Sequence, residues 1–386
     1  MTITGIICEY NPMHLGHQKQ IRQIRALRGN ESAVVCLMSG NFVQRGAPAI
    51  VDKSLRAQAA VLSGADLVLE LPAEYALSSA EGFAAGGVQI LGQFCDRLCF
   101  GAESEDREQL MILARALLSE EFRPLLKEEL ETGRSFPAAR QAALSRMGLD
   151  AAPLSLPNNI LAVEYCKAIA VQGCAMAPMP IKREGSYHDS APDPDNPSAT
   201  ALRKRMLEGD SWEEFAPGGC RIFRDAPLHT LAAGELAMLA KLRTLSDESF
   251  EALPYGSEGL WRKLMRSCRT EATLEDIAQA TKSKRYTRSR IDRMLLCAFL
   301  GITLEDLLTP PPYVRVLAFT DRGRSVLKDA RKTGLFLNAG EIPQHPYWEK
   351  ERQFGDLYGL FCCNGPEAPG AEQRRRIFYH PETCLP

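Results

Sequence analysis

The 386-residue sequence has no marked excess of charge of either sign and no long apolar run. Its 46 basic and 48 acidic residues leave a formal net charge of −2, which argues against a uniformly basic nucleic-acid binder. With 45% hydrophobic and 24% charged residues, the composition also argues against intrinsic disorder. No apolar run approaches the roughly 20 residues that span a bilayer, and the first residues lack the pattern of a signal peptide. We expect a soluble cytoplasmic protein that does not interact with membranes.

The sequence has 12 cysteines but no CxxC pair, no internal repeat and no low-complexity tract. Scattered cysteines in apolar stretches are typical of buried thiols in a reducing compartment; four examples are Cys8, Cys36, Cys99 and Cys297. Four potential metal ligands lie near the C-terminus, namely Cys362, Cys363, His380 and Cys384. Their spacing matches no known ligand set, so the sequence predicts no metal site.

Short apolar runs alternate with helical patterns in the first half of the chain. The apolar runs predict buried strands over Ile3 to Cys8, Ala33 to Met38, Leu67 to Leu71 and Leu98 to Gly101. The stretches between them predict helices over His14 to Leu27, Lys53 to Leu62 and Ala80 to Leu91. This alternation predicts an α/β fold, with a parallel sheet covered by helices on both faces.

The pattern changes twice further along the chain. From about residue 103 to residue 148 it is wholly helical, which indicates an insertion or lid, before a helix over Asn159 to Ala170 and a strand ending at Ile181 resume the alternation. After about Gly218 we expect no further strand, and the helices predicted there cover 234–242, 258–265, 274–280 and 288–300. We therefore predict a first domain over 1–217, with the insertion at about 103–148, and a mainly helical second domain over 218–386.

The strongest local signal is the segment from Gly5 to His17, an apolar strand that leads through a turn into a helix. His14 and His17 would share one face of the first helical turn, where free backbone N–H groups and the helix dipole attract anions. Gly16 lets a ligand approach the backbone, and parallel sheets bind ligands where such strands end. We interpret the segment as a phosphate-binding site. The alternative is an ordinary capped helix with two packed histidines.

A second anion site is predicted at Ser198, Thr200 and Arg203. The two hydroxyl residues are good helix caps, and the arginine follows one turn later, so hydroxyl, N–H and guanidinium groups would converge. Alone, this pattern also fits an ordinary capped surface helix with a solvated arginine. Together with His14 and His17, it could hold one triphosphate from two sides.

A local basic segment occurs in the second half of the chain. Between residues 282 and 293, Asp292 is the only acidic residue beside Lys282, Lys284, Arg285, Tyr286, Arg288, Arg290 and Arg293. Cations around an aromatic ring can follow an RNA backbone and stack on a base; further cations that could contribute are Arg262, Lys263, Arg266, Arg269, Arg374, Arg375 and Arg376. The alternative is a solvated helix face.

The two anion motifs resemble those of the HxGH nucleotidyltransferase superfamily, whose second signature is similar to Ser198-x-Thr200-x-x-Arg203. Longer stretches look like the bacterial tRNA(Met) cytidine acetate ligases; they are Glu9-Tyr10-Asn11-Pro12, Ser39 to Gly46, Pro157 to Leu161, Tyr187-His188-Asp189 and 284–291. The resemblance covers both halves of the chain. It implies a Rossmann-like nucleotidyltransferase domain followed by a helical domain.

The resemblance also implies an activity. Members form acetyl-adenylate from acetate and ATP with loss of pyrophosphate, then transfer acetyl to the wobble cytidine of elongator tRNA(Met), giving N4-acetylcytidine. Acetate is ionised at pH 7 and needs no general base. A role for Mg²⁺ beside ATP stays open, since a cation would neutralise the negative charge of the leaving pyrophosphate. No stable protein partner is predicted.

The resemblance assigns residues to these roles. The catalytic residues it implies are His14, His17, Ser198, Thr200 and Arg203. The ATP-binding residues it implies are Ile7, Cys8, Glu9, Tyr10, Asn11, Pro12, Met13, His14, Leu15, Gly16, His17, Gln18, Lys19, Gln20, Gly101, Asn158, Asn159, Arg183 and Glu184. Asn41, Gln44 and Arg45 follow the second strand, at the sheet edge that holds His14, and are candidates for binding acetate or cytidine.

Two alternatives remain open. A small-molecule adenylyltransferase of the phosphopantetheine or nicotinamide-mononucleotide type uses the same two signatures but does not need the extra helical half. A non-catalytic RNA-binding protein with a vestigial nucleotide fold would not be expected to retain both histidines and the second signature.

Overall fold

The computed structural model describes residues 1–183, 197–283, 285–337 and 340–381. The described residues form the strands β1 (Ile3–Cys8), β2 (Ala33–Ser39), β3 (Phe42–Val43), β4 (Ala47–Pro48), β5 (Leu67–Leu71), β6 (Arg97–Ala102), β7 (Ala177–Lys182), β8 (Val316–Thr320) and β9 (Phe378–His380).

The helices of the first half are α1 (Leu15–Arg28), α2 (Lys53–Leu62), α3 (Ala73–Ala76), α4 (Ala80–Leu91), α5 (Arg107–Leu118), α6 (Phe122–Glu131), α7 (Phe136–Arg146), α8 (Pro157–Gln172) and α9 (Ala199–Glu208). Those of the second half are α10 (Glu235–Thr244), α11 (Asp247–Glu251), α12 (Leu260–Thr270), α13 (Leu274–Thr281), α14 (Arg288–Leu300), α15 (Leu304–Leu308), α16 (Asp321–Ala330), α17 (Tyr347–Tyr358) and α18 (Ala371–Arg374). Short 3₁₀ helices cover Ala152–Ser155, Glu213–Phe215, Gly218–Phe223, Arg331–Thr333, Ile342–Gln344 and Gly359–Phe361.

The main sheet has seven strands in the order β7-β6-β1-β2-β5-β8-β9. Strands β7, β6, β1, β2 and β5 are mutually parallel, which confirms the predicted α/β fold. From β1 the chain first builds outward through β2 and β5, then crosses to the other side of β1 to form β6 and β7. This reversal of strand order beside β1 is the position where open α/β sheets bind ligands.

Both faces of the sheet are buried, as the continuous apolar strands predict. In β2, Val35 and Leu37 pack into one core, while Cys36 and Met38 pack into the core on the opposite face. Side chains of a strand alternate between faces, so one unbroken apolar run supplies both cores. The first core lies under α4, α5 and α8, and the second under α1, α2 and α9.

The predicted helices are present. Helices α2, α4 and α14 have the predicted boundaries, and the segment predicted to be wholly helical contains α5, α6 and α7. Asp52 begins α2 by accepting a hydrogen bond from the Ser54 N–H, and Ser79 caps α4 through Gly82. Side-chain caps of this kind satisfy the free N–H groups of a first turn, which explains why these boundaries can be read from the sequence.

The expectation that no strand follows Gly218 is wrong. Strand β8 pairs antiparallel with β5, and β9 then pairs parallel with β8, so the second half of the chain completes the sheet. Both strands are short and partly exposed, and β9 has only three residues. Periodicity over so few residues does not distinguish a strand from a loop.

The rest of the second half is mainly helical and has its own core. Apolar side chains of α10, α12, α13 and α14 pack there, including Leu242, Leu264, Ile277 and Met294. Phe42 of the β3–β4 hairpin enters the same core, with its ring edge on Tyr358 at 5.9 Å. The two halves therefore share packed surface. No helix among the described residues has the length and apolarity to cross a membrane.

Candidate functional site

The two histidines of the first motif lie at the carboxyl end of β1, as predicted. His14 is the N-cap of α1, and its backbone N–H donates to Nδ1 of His17 at 3.2 Å. The two imidazole rings stack with centroids 3.7 Å apart, and the Tyr10 ring lies 5.0 Å from that of His17. The Nδ1 atom of His14 is buried and has no hydrogen-bond partner among the described residues.

Burial keeps both imidazoles neutral. Desolvation and the nearby Arg183 guanidinium lower the pKa of His14 to about 3. Desolvation, His14 and Arg183 lower the pKa of His17 well below its usual value. A neutral imidazole has one N–H donor, so these side chains can donate hydrogen bonds to phosphate oxygens without carrying a charge themselves.

The second motif lies against the first. Ser198 caps α9 by accepting a hydrogen bond from the Ala201 N–H. Arg203 donates from Nη1 to the Asn11 carbonyl at 2.6 Å and from Nη2 to Thr200 Oγ1 at 3.0 Å. Asn11 and Arg203 are 192 positions apart in the sequence, and this contact brings both anion-binding signatures to one sheet edge.

The ends of β6 and β7 form the other side of the site. The Arg183 N–H donates to the Ala102 carbonyl at 2.8 Å, which continues the pairing of β7 with β6. Arg183 Nη1 also donates to Asn158 Oδ1 at 3.3 Å. Gly101 is exposed, and a Cβ there would contact only Arg183 Cδ, at 4.0 Å. Packing does not require this glycine, and it leaves open space beside the guanidinium.

Glu103 is a further candidate site residue, which no sequence motif indicated. Its carboxylate accepts hydrogen bonds from the Asn159 N–H at 2.8 Å and from Asn158 Nδ2 at 2.8 Å. In return, Asn159 Oδ1 accepts from the N–H groups of Glu103 and Ser104 at 2.9 and 3.0 Å. Asn159 thus holds the loop after β6, while Asn158 faces Arg183. The position of Glu103 directly after a parallel strand was the available signal.

Arg56 is a second residue that was missed. It is fully buried, and its guanidinium donates to the carbonyls of Glu9, Ser39, Gly40 and Val51. Arg56 therefore joins the chain just beyond β1 to the end of β2. The sequence of α2 does not indicate this role of Arg56, because the partners of Arg56 are backbone atoms from distant segments.

The candidate acetate or cytidine residues lie on the loop and hairpin after β2. The side chain of Asn41 is buried and engaged, since Oδ1 accepts from the Lys53 N–H at 2.8 Å and Nδ2 donates to Asp52 at 3.1 Å. The Gln44 N–H donates to Glu9 Oε1 at 2.8 Å. The side chain of Gln44 is half-buried, and that of Arg45 is exposed.

The hairpin also contacts the basic segment. Gly46 has a φ of +77°, and a Cβ there would lie 2.5 Å from the Asp292 carbonyl carbon. Arg293 donates to the Gln44 carbonyl at 3.4 Å. The start of α14 therefore lies beside the loop that follows β2, on the side of the sheet that holds His14.

Much of the predicted basic segment is engaged within the protein. Arg288 bonds Asp292 at 2.7 Å and Glu275 at 2.8 Å, and Arg285 pairs with Glu258 at 3.0 Å. Arg290 donates to the Tyr255 carbonyl, and its guanidinium carbon lies 4.9 Å from the ring centroid of Tyr286. The Tyr286 hydroxyl donates to Glu258 at 3.1 Å. Lys282 and the α12 residues Arg262 and Arg266 are exposed.

The three C-terminal arginines differ in their exposure to solvent. Arg375 is buried, with Nη1 2.7 Å from Asp52 Oδ1 and Nη2 3.0 Å from Glu372 Oε1, so the expectation that it joins an RNA-binding surface is wrong. The half-buried carboxylate of Asp52, the N-cap of α2, and the buried carboxylate of Glu372 in α18 hold it there. Arg374 and Arg376 are exposed. The predicted burial of Cys8, Cys36, Cys99 and Cys297 is confirmed.

Several other residues of the 7–20 segment make contacts with the core. Met13 and Tyr10 are almost fully buried in the core under α1, and the Tyr10 hydroxyl lies 3.4 Å from Cys36 Sγ. Gln20 Nε2 donates to Cys99 Sγ at 3.4 Å. The half-buried members of this segment are Ile7, Glu9, Leu15, Gly16, His17, Gln18 and Gln20, and Lys19 is exposed. Glu184, Lys284, Cys384 and the Tyr187-His188-Asp189 motif lie outside the described residues.

This geometry suits a nucleotide triphosphate. Two neutral imidazoles and two guanidinium groups, Arg183 and Arg203, surround the end of β1, where the first turn of α1 presents free N–H groups. The arrangement contributes positive charge and oriented donors but no covalent nucleophile. It can therefore stabilise charge that develops on a leaving phosphate group.

Comparison with known proteins agrees with this assignment. Residues 1–361 match the family model described as HIGH Nucleotidyl Transferase. A protein of Clostridium kluyveri named tRNA(Met) cytidine acetate ligase is 39% identical over 373 residues, covering 89% of this chain and 91% of the relative. A protein of the same name from Clostridium acetobutylicum is 37% identical over 356 residues, covering 86% of this chain and 88% of the relative.

Two crystal structures of Thermotoga maritima TmcAL are also similar. The apo form has a TM-score of 0.89 at 30% identity, with 99% of this chain and 100% of that chain covered. The form bound with alpha-thio ATP has a TM-score of 0.86 at 29% identity, with the same coverage. The chain belongs to the HIGH nucleotidyl transferases, and within them to the tRNA(Met) cytidine acetate ligase family.

Proposed function

We propose that the chain is an ATP-dependent ligase that activates acetate as acetyl-adenylate and transfers the acetyl group to N4 of the wobble cytidine of elongator tRNA(Met). The observation that carries this proposal is the junction of the two anion-binding signatures. Arg203 donates to the Asn11 carbonyl at 2.6 Å, beside the stacked rings of His14 and His17. The names of the relatives supply the substrates.

In the first step, an acetate oxygen attacks the α-phosphorus of ATP, and the bond to the β-phosphate breaks to release pyrophosphate. Acetate is already ionised at neutral pH, so no general base is needed. His14 and His17 donate hydrogen bonds to phosphate oxygens, while Arg203 and Arg183 offset the charge that develops on the leaving group. The chain contributes position and charge in this step, and no covalent intermediate with the protein forms.

In the second step, the exocyclic amine of cytidine attacks the acetyl carbonyl, AMP leaves, and the amine loses one proton. The mixed anhydride reacts with water, so it must be shielded until RNA arrives. We propose that Gln44 and Arg45 contact the cytidine or the acetate. Their loop lies between the end of β1 and the basic start of α14.

We further propose that Mg²⁺ enters with ATP as a counter-ion of the triphosphate. The phosphate-facing groups described above are imidazoles and guanidinium groups, which do not bind Mg²⁺. The metal would therefore be held mainly by phosphate oxygens and water.

The direct test of the activation step is ATP–pyrophosphate exchange with the purified protein. We expect exchange that depends on acetate and proceeds without RNA. Exchange that depends on phosphopantetheine or nicotinamide mononucleotide instead would identify a small-molecule adenylyltransferase. A protein that binds tRNA(Met) but supports no exchange with any of these substrates would be a non-catalytic RNA binder.

A further inference from the structure

A group of metal-binding side chains lies outside the nucleotide site. His229, Cys362 and Glu367 each have one potential ligand atom within 4.8 Å of those of the other two. His229 Nε2 lies 3.2 Å from Glu367 Oε2, although the two residues are 138 positions apart in the chain. This trio differs from the C-terminal residues considered in the sequence, with which it shares only Cys362. His380 lies in β9, with its ring facing that of Phe378.

The backbone holds the three residues in place. His229 and Cys362 form an antiparallel bridge, flanked by hydrogen bonds from the Thr230 N–H to the Phe361 carbonyl and from the Cys363 N–H to the Leu228 carbonyl. The Glu367 N–H donates to the Gly359 carbonyl at 3.0 Å. Donor atoms on paired backbone are pre-organised, so a metal would not have to order a flexible loop before binding.

The hydrogen bonding of His229 is incomplete in the protein alone. The residue is only 2% exposed, and its ring stacks on Tyr358 with centroids 4.0 Å apart. Nδ1 is buried and has no partner among the described residues. Nε2 is the ring nitrogen that faces Glu367, so Nε2 would be the ligand atom and Nδ1 would carry the ring proton.

The donor set matches the preference of zinc. An imidazole nitrogen, a thiolate and a carboxylate are its three usual protein ligands, and two anionic ligands balance a divalent charge. Zinc–ligand bonds of about 2.0–2.3 Å place ligand atoms closer together than 4.8 Å, which small side-chain rotations would achieve. The Glu367 side chain is 38% exposed, which provides a path for the ion and a position for a water as fourth ligand.

We propose that His229, Cys362 and Glu367 bind one zinc ion that joins the segment before α10 to the segment after α17. The ion lies next to the core contact in which Phe42 of the hairpin meets Tyr358 and Phe361. Its role is structural, because metal binding to a site that exists only in the folded chain adds to the stability of that chain. The proposal does not depend on the proposed enzyme activity.

The test compares Cys362→Ser with Cys363→Ser in the full-length protein. The two thiols are adjacent, but Cys363 is exposed and its Sγ lies 3.5 Å from Thr230 Oγ1. We expect the metal-free wild type and Cys363→Ser to bind one Zn²⁺ per chain in a chelator competition. Cys362→Ser should bind at least about 100-fold more weakly, since it lacks a ligand. Co²⁺ should give a thiolate charge-transfer band in the first two proteins alone.

A second variant keeps the proposal testable if Cys362→Ser does not fold. Glu367→Gln retains the shape of the side chain and a hydrogen bond to His229, but it removes the anionic ligand. We expect circular dichroism like that of the wild type, with zinc affinity lowered at least about tenfold. The proposal is overturned if the wild type binds no Zn²⁺, or if zinc affinity and the Co²⁺ band are unchanged in both Cys362→Ser and Glu367→Gln.

Discussion

At the scale of single residues, the site depends on two imidazoles that are placed to donate hydrogen bonds without being charged. His14 caps α1, and its ring lies 3.7 Å from that of His17. We expect His14→Ala and His17→Ala each to lower acetate-dependent ATP–pyrophosphate exchange by about 100- to 1000-fold, as loss of one transition-state donor does elsewhere. His380→Ala, in the distant strand β9, should retain exchange. Normal exchange in both site variants would exclude these roles.

Burial of His14 also makes stability depend on pH. Its pKa is about 3 in the folded protein, below the value of about 6.5 in an unfolded chain. Below pH 6.5 the unfolded chain binds a proton that the folded chain does not, so the free energy of unfolding decreases as pH falls. From pH 7 to pH 5 the contribution of His14 is at most about 2 kcal/mol.

Urea unfolding of the wild type and of His14→Asn at both pH values measures this contribution, because other titrating groups are common to both proteins. We expect the wild type to lose more stability than the variant when the pH falls from 7 to 5. An equal loss in the two proteins would mean that His14 titrates normally in the fold.

Local motifs pointed to some of the candidate site residues and not to others. His14, His17, Ser198 and Arg203 were predicted because their roles follow from sequence spacing around a helix start. Arg56 was missed because its partners are backbone carbonyls from distant segments, which only the fold brings together. Glu103 was missed although it directly follows β6, because its partners Asn158 and Asn159 are distant in the chain. Asn41 was correctly placed just after the second strand. The side-chain oxygens of both Asn41 and Asn159 accept hydrogen bonds from the protein backbone.

At the scale of elements, the contact between the β3–β4 hairpin and α14 connects the proposed RNA-binding half to the catalytic edge. Gly46→Ala should destabilise the protein in two ways, through its φ of +77° and through a Cβ placed 2.5 Å from the Asp292 backbone. Gly133→Ala is a matched control, because Gly133 has a φ of +84° and nothing within 4 Å of an added Cβ.

The control should lose about 1 kcal/mol, the usual cost of a left-handed conformation, and Gly46→Ala clearly more. Urea unfolding measures both losses, and equal losses would show that the hairpin contact is loose. We also expect Gly46→Ala, unlike Gly133→Ala, to lower acetyl transfer to RNA more than acetate-dependent exchange.

The exposed cations of α12 are the element-scale test of RNA binding. Arg262 and Arg266 lie one helical turn apart and are both exposed. We expect Arg262→Glu/Arg266→Glu to weaken tRNA binding and to reduce its salt dependence, because fewer phosphate contacts release fewer counter-ions. Arg123→Glu/Lys127→Glu on α6 makes the same charge change at the same spacing. If both double variants weakened tRNA binding equally, the effect would come from the overall charge of the protein and not from a docking surface on α12.

The elements themselves were largely predictable. Strands β1 and β5 and helices α2, α4 and α14 were predicted with their observed boundaries, because long periodic or continuous apolar patterns specify them. Strands β8 and β9 were not, since their place in the sheet depends on the edge that β5 presents. Short edge strands depend on tertiary context more than on their own residues.

At the scale of the whole molecule, the two halves are interdependent. The division between residues 217 and 218 remains a prediction, but β8 from the second half pairs with β5 from the first. Buried Lys53 contacts Glu70 at 2.6 Å and Glu372 at 2.9 Å, so its charge is balanced from both halves. Removing the second half would expose the β5 edge and leave this buried network without Glu372.

We therefore expect a fragment of residues 1–217 to aggregate or to lack cooperative unfolding, while the full chain unfolds in one transition that includes the sheet. Circular dichroism melting and size-exclusion chromatography of both proteins make the comparison. A monomeric fragment with a sharp melting transition would show instead that the first half folds independently.

The most direct measurement of the central claim is mass spectrometry of elongator tRNA(Met) after incubation with the purified protein, ATP and isotope-labelled acetate. The account predicts labelled N4-acetylcytidine at the wobble position, with one AMP and one pyrophosphate released per acetyl group and no product when His17 is replaced by alanine. Unmodified tRNA(Met) after incubation with folded, ATP-binding protein, or equal product from the His17→Ala variant, would contradict it.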